Sequence, residues 1–253
     1  CLKTENGWSE PVNLGDLINT PYAERSPYLH PDGKTLYFSS DGHPGLGRLD
    51  VFKSIRLNDS SWTEWSKPIN LGKEINTAKD DWGYKVVLSG DSAIFASQFR
   101  NDGIGGWDIY SVSLTKELKP AKVVTIKGKV TDQLGKPLSA ELIWENLNTG
   151  ENEGILKSDP KDGSYIIFCK PGAVYGYYAS KKGYYPTSNN IDLTEIENTD
   201  TFIKNIVLYS FRELIDSNKP VIVNNIFFDF DKYELKETSF NELERIVQIL
   251  NEN

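Results

Sequence analysis

The sequence predicts a mainly β, multidomain chain, and three observations predict it. Aromatic residues are plentiful, with 6 Trp, 13 Tyr and 11 Phe beside 20 Gly and 12 Pro in 253 residues. That mixture favours short strands joined by tight turns. A tryptophan-led motif recurs 57 residues apart in the first half. Two changes of texture, near Val123 and near Val221, then divide the chain into three regions, a number in keeping with its length.

The repeat organises the first region, residues 1–120. Trp8-Ser9-Glu10-Pro11-Val12-Asn13-Leu14-Gly15 returns as Trp65-Ser66-Lys67-Pro68-Ile69-Asn70-Leu71-Gly72, and Ile18-Asn19-Thr20 as Ile75-Asn76-Thr77. Gly33, Phe38 and Ser40 map to Gly90, Phe95 and Ser97 in the same register, and Asp50-Val51-Phe52 maps to Asp108-Ile109-Tyr110 after one inserted residue. Within a unit, Pro31-Asp32-Gly33 is a tight-turn signal, because Gly accepts positive φ. It leads into a strand over Lys34–Ser39. Gly47–Ser54 reads as the next strand and Trp62–Asn70 as another. Units of several short strands with recurring aromatics fit propeller blades. The run from Ser26 through Pro31-Asp32-Gly33 to Ser40, followed by Leu49-Asp50-Val51-Phe52, resembles the TolB-like, WD40-like propeller repeat. The second unit is degenerate, with Leu88-Ser89-Gly90-Asp91 at the turn. About two blades are present, fewer than a closed propeller uses.

The second region, residues 123–209, alternates as strands do. Thr125–Asp132 is a strand ending in the turn Leu134-Gly135-Lys136-Pro137. Leu138–Glu145, Ser164–Cys169, Val174–Lys181 and Ile203–Tyr209 follow, with turns at Asn148-Thr149-Gly150 and Asp162-Gly163. This spacing suggests a small sandwich of about seven strands. The pattern G-x-V-x-D-x-x-G-x-P-L from Gly128, then D-G-x-Y from Asp162, then Tyr175 to Tyr185, resembles the carboxypeptidase regulatory-like, transthyretin-like domain. That resemblance implies a spacer or binding module without catalytic machinery.

In the third region, residues 221–253, Asn225–Asp231 reads as a strand. Leu235, Phe240, Leu243, Ile246, Val247 and Leu250 then fall at helical spacing. The Phe-Asp-Phe-Asp strand and amphipathic helix resemble the opening of the OmpA-like peptidoglycan-binding domain. In that family the peptide stem is held by an Asp and an Arg further along, which places those contacts beyond Asn253. The order of the three regions resembles a lineage of Bacteroidota envelope proteins. Some of these are cell-wall-tethering lipoproteins associated with type IX secretion. The resemblance implies a periplasmic protein associated with the outer membrane of a Gram-negative bacterium. Its implied partners are outer-membrane or secretion-complex proteins, and peptidoglycan through the complete OmpA-like domain.

Composition narrows the partners. The formal net charge is −8, and no basic stripe is present, so nucleic acid is excluded, as is direct adsorption to anionic lipid. No apolar run approaches the ~20 residues of a spanning helix, and no signal peptide is recognisable. The chain lacks Met even at position 1, and the helix over Glu242–Asn253 carries no stop signal, so both ends are expected to be cut. Cys1 is either a fragment edge or the acylated first residue of a lipoprotein. The former is preferred, because repeat sequence begins at Trp8 without a spacer. Cys169, in an apolar strand, reads as a buried, inert thiol.

Candidate chemistry is sparse. His30 and His43 belong to no triad, and no G-x-S-x-G appears. Asp32, Asp41, Asp50, Asp91, Asp102 and Asp108 are candidate glycosidase carboxylates by type alone. Asp50 and Asp108 share a repeat position, which points to a turn or cap. Asn101-Asp102-Gly103 lacks calcium-loop spacing, and Gly103–Gly106 lacks the Lys and helix of a phosphate loop. Asp229 and Asp231 are expected on one face of a strand, capping the helix. No catalytic, metal or cofactor residue is assigned. Tyr175, Tyr177, Tyr178, Tyr184 and Tyr185 are the candidate interaction surface, since contiguous exposed aromatics mark interfaces. The expected function is a non-enzymatic adaptor. The alternatives are a carbohydrate-binding or carbohydrate-processing envelope protein, and a TolB-like partner in outer-membrane integrity.

Overall fold

The computed structural model describes residues 3–4, 7–87, 89–197, 200–217 and 222–252. Cys1, Leu88, Val221 and Asn253 lie outside the described residues, as do the side chains of Trp8 and Leu250. The chain is mainly β, built of several antiparallel sheets. Its contacts divide it into two compact units, which meet between Lys122 and Val123.

The first unit opens with a hairpin, β1 (Lys3–Thr4) and β2 (Gly7–Trp8). One antiparallel sheet follows in chain order: β3 (Glu24–Leu29), β4 (Thr35–Ser40), β5 (Asp50–Ile55) and β6 (Ile69–Asn70). A second contains β7 (Asp81–Val86), β8 (Ser92–Gln98) and β9 (Trp107–Ser113), each starting 57 residues after its counterpart. The repeat extends to backbone irregularities. Ser26 (φ 49°) and Gly83 (φ 72°) occupy equivalent bulges in β3 and β7. At the turns, Gly33 donates to His30 O and Gly90 to Val87 O. Both glycines have positive φ, 70° and 73°, so Gly90 keeps the conformation of Gly33 although Pro31-Asp32 is not repeated. Tyr37, Val51, Leu71 and Ile75 pack with Tyr84, Val86, Ala93 and Phe95 into one core. The rings of Tyr37 and Tyr84 lie 4.9 Å apart.

One expected strand is mostly absent. Over Trp62–Asn70 only Ile69 and Asn70 pair with β5, beside an isolated bridge at Trp65. The reason is local. Ser66 Oγ, not a backbone carbonyl, accepts the Ile55 N–H at 2.9 Å, and Pro68 has no N–H to donate.

Among the described residues the second unit holds nine strands: β10 (Val124–Asp132), β11 (Glu141–Asn146), β12 (Glu151–Lys157), β13 (Ser164–Cys169), β14 (Val174–Ser180), β15 (Tyr184–Tyr185), β16 (Thr187–Asp192), β17 (Thr201–Ile203) and β18 (Ile206–Ser210). One sheet runs β13-β10-β18-β15 with β17 also on β10, and the other runs β12-β11-β14-β16. Val124, Val130 and Leu208 from the first and Leu142, Tyr175, Ala179 and Ile191 from the second share one buried core. Helix α1 (Phe211–Ser217) follows β18, and a 3-10 turn, Glu237–Ser239, leads into α2 (Phe240–Glu252).

Asn225–Asp231, expected as a strand, is irregular. Asn225 and Asp231 both adopt positive φ, at 58° and 56°, and the segment's one bridge joins Phe228 to Leu235. Its hydrogen bonds go instead to β16. Asn224 donates to Ser188 O at 2.7 Å, Asn225 donates to Asn189 O, and Asn190 donates to Asn225 Oδ1 at 3.0 Å. Asn is among the few residues that tolerate the left-handed region, and here its side chain replaces a ladder. The alternation expected for Asp229 and Asp231 therefore does not apply. Asp229 pairs with Lys236 at 3.1 Å and Lys232 at 3.6 Å.

Candidate functional site

The candidate carboxylates of the first unit are committed to its loops. Asp50 is buried and accepts the N–H groups of Leu46 and Gly47 and the Asn70 carboxamide. Asp108 does the same for Ile104 and Gly105, at 3.0 and 3.2 Å. Glu24 and Asp81 form another equivalent pair: each accepts the backbone N–H and the hydroxyl of the Thr four residues before it, Thr20 and Thr77. Asp41 accepts the Ala23 N–H at 2.8 Å, and exposed Asp91 pairs with Lys119. Asp102 is exposed. His43 lies against Phe38 and Phe52, its Nε2 3.2 Å from Ile18 O. Among the described residues, no three His, Cys, Asp or Glu side chains converge as a metal site would require.

Asp32 shapes the first turn. It accepts the Lys34 and Thr35 N–H groups and the Thr35 hydroxyl, and lies 3.3 Å from His30 Nδ1. Burial pushes its carboxyl upward, but the hydrogen bonds from His30, Thr35 and Lys34 together outweigh burial and hold the pKa at about 2. A carboxylate depressed below its unfolded value stabilises the fold above that value and loses the effect as pH falls through the folded one. The first unit should therefore lose about 2 kcal/mol between about pH 4 and pH 2. Asp32→Asn should remove that part of the acid sensitivity. Urea titrations followed by tryptophan fluorescence test this, since five of the six tryptophans precede residue 122. Equal acid sensitivity in both proteins would refute it.

The five tyrosines do not form one surface. Alternation along β14 turns Tyr175 and Tyr177 inward, where Tyr175 is buried and Tyr177 packs on the core. Tyr175 is thereby withdrawn from the expected interaction surface. Tyr184 packs against the same core from β15. Tyr185 meets the edge of Phe211, ring centroids 6.2 Å apart. Tyr178 alone of the β14 tyrosines faces outward. There the Arg245 guanidinium lies 5.0 Å from its ring centroid. Tyr178 and Tyr184, with Glu141, Ile143, Lys181 and Arg245, line a cavity of about 530 Å³.

Beside this cavity lies a polar contact that no pattern in the sequence locates. Arg245 of α2 reaches Glu145 of β11 with two nitrogens, at 3.1 and 2.9 Å, and Asn241 donates to Glu145 at 3.0 Å. Arg245 also lies 3.4 Å from Glu242, which accepts the Ser188 hydroxyl at 2.5 Å. Gly176 stands opposite Glu145 on β14, and the Leu147 side chain fills the space beside it. Helix α2 thus docks largely through its polar face; of the residues named from the apolar spacing, Phe240 and Val247 are exposed and Leu243 and Ile246 are half-buried.

Cys169 is buried and pushed up to about 12, by desolvation first and by the nearby Glu153 charge second. Thiolate is the reactive form, so iodoacetamide at pH 8 should label Cys169 in urea and leave it unlabelled in the native chain. Site-resolved mass spectrometry reads this out, and prompt native labelling would contradict it.

No family model matches the chain, and no curated protein matches it. Similar solved structures include 3-chlorocatechol 1,2-dioxygenase from Rhodococcus opacus 1CP, at 12% identity over 36% of this chain and 61% of that one, TM-score 0.29. Hydroxyquinol 1,2-dioxygenase from Pseudomonas putida DLL-E4 shows 12% identity over 37% and 58%, TM-score 0.29. Catechol 1,2-dioxygenase from Acinetobacter sp. ADP1 shows 14% identity over 43% and 59%, TM-score 0.28. The chain covers about three fifths of the length of each, and likeness at this level carries no argument about activity.

Proposed function

We propose that the chain is a non-enzymatic envelope adaptor. In this proposal two propeller-type repeat units and a transthyretin-like sandwich present contact surfaces to outer-membrane or secretion-complex proteins. An OmpA-like segment leads toward peptidoglycan, and the location is periplasmic. Separate modest contacts on one chain then give strong tethering. The observation that carries the proposal is the paired use of carboxylates. Glu24 and Asp81, and Asp50 and Asp108, hold the same loops in the two repeats, and a residue spent twice on the same turn is a structural part. The exposed apolar side chains Phe230, Phe240 and Val247 fit a segment that works by contact.

The test is sedimentation with purified peptidoglycan, comparing this 253-residue chain with a chain carrying the complete OmpA-like domain. The longer chain should co-sediment and this one should stay in solution. Equal retention would overturn the assignment of cell-wall contacts. A glycan array tests the second possibility, a carbohydrate site, which the cavity beside Tyr178 and Tyr184 favours. Saturable glycan binding lost in Tyr178→Ala would replace the adaptor proposal.

A further inference from the structure

The cavity beside Tyr178 takes its walls from three parts of the second unit. Its floor is the outward face of β11 and β14, where Ile143 stands opposite Tyr178 and Glu141 opposite Ser180. On one side the chain turns from β14 into β15 through Lys181-Lys182-Gly183-Tyr184. That turn is pinned twice. The Tyr184 N–H donates to Lys181 O at 3.0 Å, and the Phe211 N–H donates to Gly183 O at 3.4 Å. On the other side lie Arg245 and Ile249 of α2. A volume of about 530 Å³ lies within the roughly 300–1,000 Å³ that small-ligand sites use.

Charge in this cavity is unbalanced. Lys181, Lys182 and Arg245 line it against one acid, Glu141, in a chain whose formal net charge is −8. Arg245 is committed to Glu145 and Glu242. The lysines are not. Among the described residues neither has a carboxylate partner, and the Lys181 ammonium makes one hydrogen bond, to Ser139 O at 3.0 Å. An ammonium carries three donors, so half-buried Lys181 keeps donors for a ligand, and exposed Lys182 follows it in the turn. Glu141 likewise has no cation partner among the described residues.

The walls discriminate between ligand classes. A fatty acid would satisfy the lysines and bring no donor to Glu141 and Ser180. A sugar acid would stack on an aromatic face, but the Tyr178 ring already carries the Arg245 guanidinium, 5.0 Å from its centroid. The end of a peptide meets every wall. Its carboxylate suits Lys181 and Lys182, its backbone N–H groups suit Glu141 and Ser180, and its apolar side chains suit Ile143, Phe211 and Ile249.

We propose that this cavity binds the carboxyl-terminal residues of a peptide chain, and that a protein partner is held there by its C-terminus. The partner rests on the adaptor reading, whereas the chemistry rests on the cavity. Capture of a terminal carboxylate is a recurring mode of peptide recognition. Because α2 supplies one wall, a ligand that binds the docked form also stabilises docking by mass action. Exposed Phe240 and Val247 lie on the opposite side of the helix from Arg245 and Ile249, so a body packed against them leaves the cavity as it is.

The test uses the unaltered chain and two pools of N-acetylated tripeptides, one with free carboxyl ends and one amidated. Ligand-observed NMR selects binders, and titration gives Kd. Members of the first pool should bind saturably and slow amide exchange at Lys182, Gly183 and across α2. The amide of the strongest binder should bind about ten- to a hundredfold more weakly, the effect of one lost hydrogen bond between charged groups. Lys182→Glu should weaken binding to a similar degree, and unchanged exchange in α2 without peptide shows that this variant is folded. Absence of any saturable binder in the free-carboxyl pool, or equal binding of the amidated pool, would overturn the site. Binding of methyl glucuronide without binding of peptide would also overturn it and give the cavity to the carbohydrate reading. Sedimentation with peptidoglycan judges the adaptor reading separately, since this cavity takes no part in it, so either can fail without the other.

Discussion

Replacing Arg245 by alanine is expected to release α2 from the second unit, at a cost of about 3–5 kcal/mol. The guanidinium is 17% exposed and bonds both oxygens of Glu145, which is 5% exposed, while Glu242 beside it is 6% exposed. Removing the cation leaves two carboxylates buried near each other with no positive charge between them. Truncating one partner of a buried pair is far more costly than replacing the pair by apolar residues. The contact on the Tyr178 ring is lost as well. Arg245→Lys should recover little, because a point ammonium cannot span both Glu145 oxygens. The readout is amide exchange over Phe240–Glu252, which should accelerate toward the unprotected rate while β10 and β11 keep their protection. Unchanged protection in α2 would show that apolar contacts such as Ile249 hold the helix. Glu145→Leu combined with Arg245→Leu should restore much of the protection, since the pair is then absent rather than broken.

This contact also shows where the sequence was legible and where it was not. A fixed offset of 57 residues predicts equivalent strands, and β3, β4 and β5 have their counterparts at that offset, down to the bulges at Ser26 and Gly83. Turns with Asp-Gly were readable because a short acceptor and a positive-φ residue act locally. The docked face of α2 was not. Apolar spacing identifies the face that would enter a core, but the outer face of β11, β14 and β16 offers Glu145, Tyr178, Ser188 and Asn190. A polar face of the helix satisfies those groups better than Phe240 could. The five tyrosines failed as one surface for a related reason: adjacent positions on a strand point to opposite sides, so Tyr177 and Tyr178 cannot share a face. Pairing over Trp62–Asn70 is shorter than its pattern predicts because a side-chain hydroxyl, that of Ser66, occupies a ladder position.

Gly128→Ala is the second large effect, and it shows why one motif was readable residue by residue. In G-x-V-x-D-x-x-G-x-P-L, Val130 and Leu138 enter the core. Asp132 accepts the Leu134 and Lys136 N–H groups at 2.9 and 2.8 Å, and Gly135 turns at φ 80°. Gly128 has a different task. Along one edge of β10 the partner changes from β17 at Lys127 to β18 at Val130. Between them the Lys204 carbonyl lies over Gly128, in the space a Cβ would fill. That carbonyl accepts the Tyr165 hydroxyl at 2.6 Å. A methyl group at residue 128 must push Lys204 away, which breaks this part-buried hydrogen bond and strains the crossing between β17 and β18. Overpacking and a lost buried partner each cost on the order of 1–3 kcal/mol, so Gly128→Ala should cost about 3 kcal/mol or more. Gly135→Ala is the control. Nothing lies within 4 Å of its would-be Cβ, so only left-handed strain remains, about 1–2 kcal/mol. Urea midpoints of the most slowly exchanging amides in β10 and β18 separate the two effects. If Gly128→Ala proves no worse than Gly135→Ala, the Lys204 carbonyl can move at little cost, and the glycine of this motif is there for backbone conformation rather than for space.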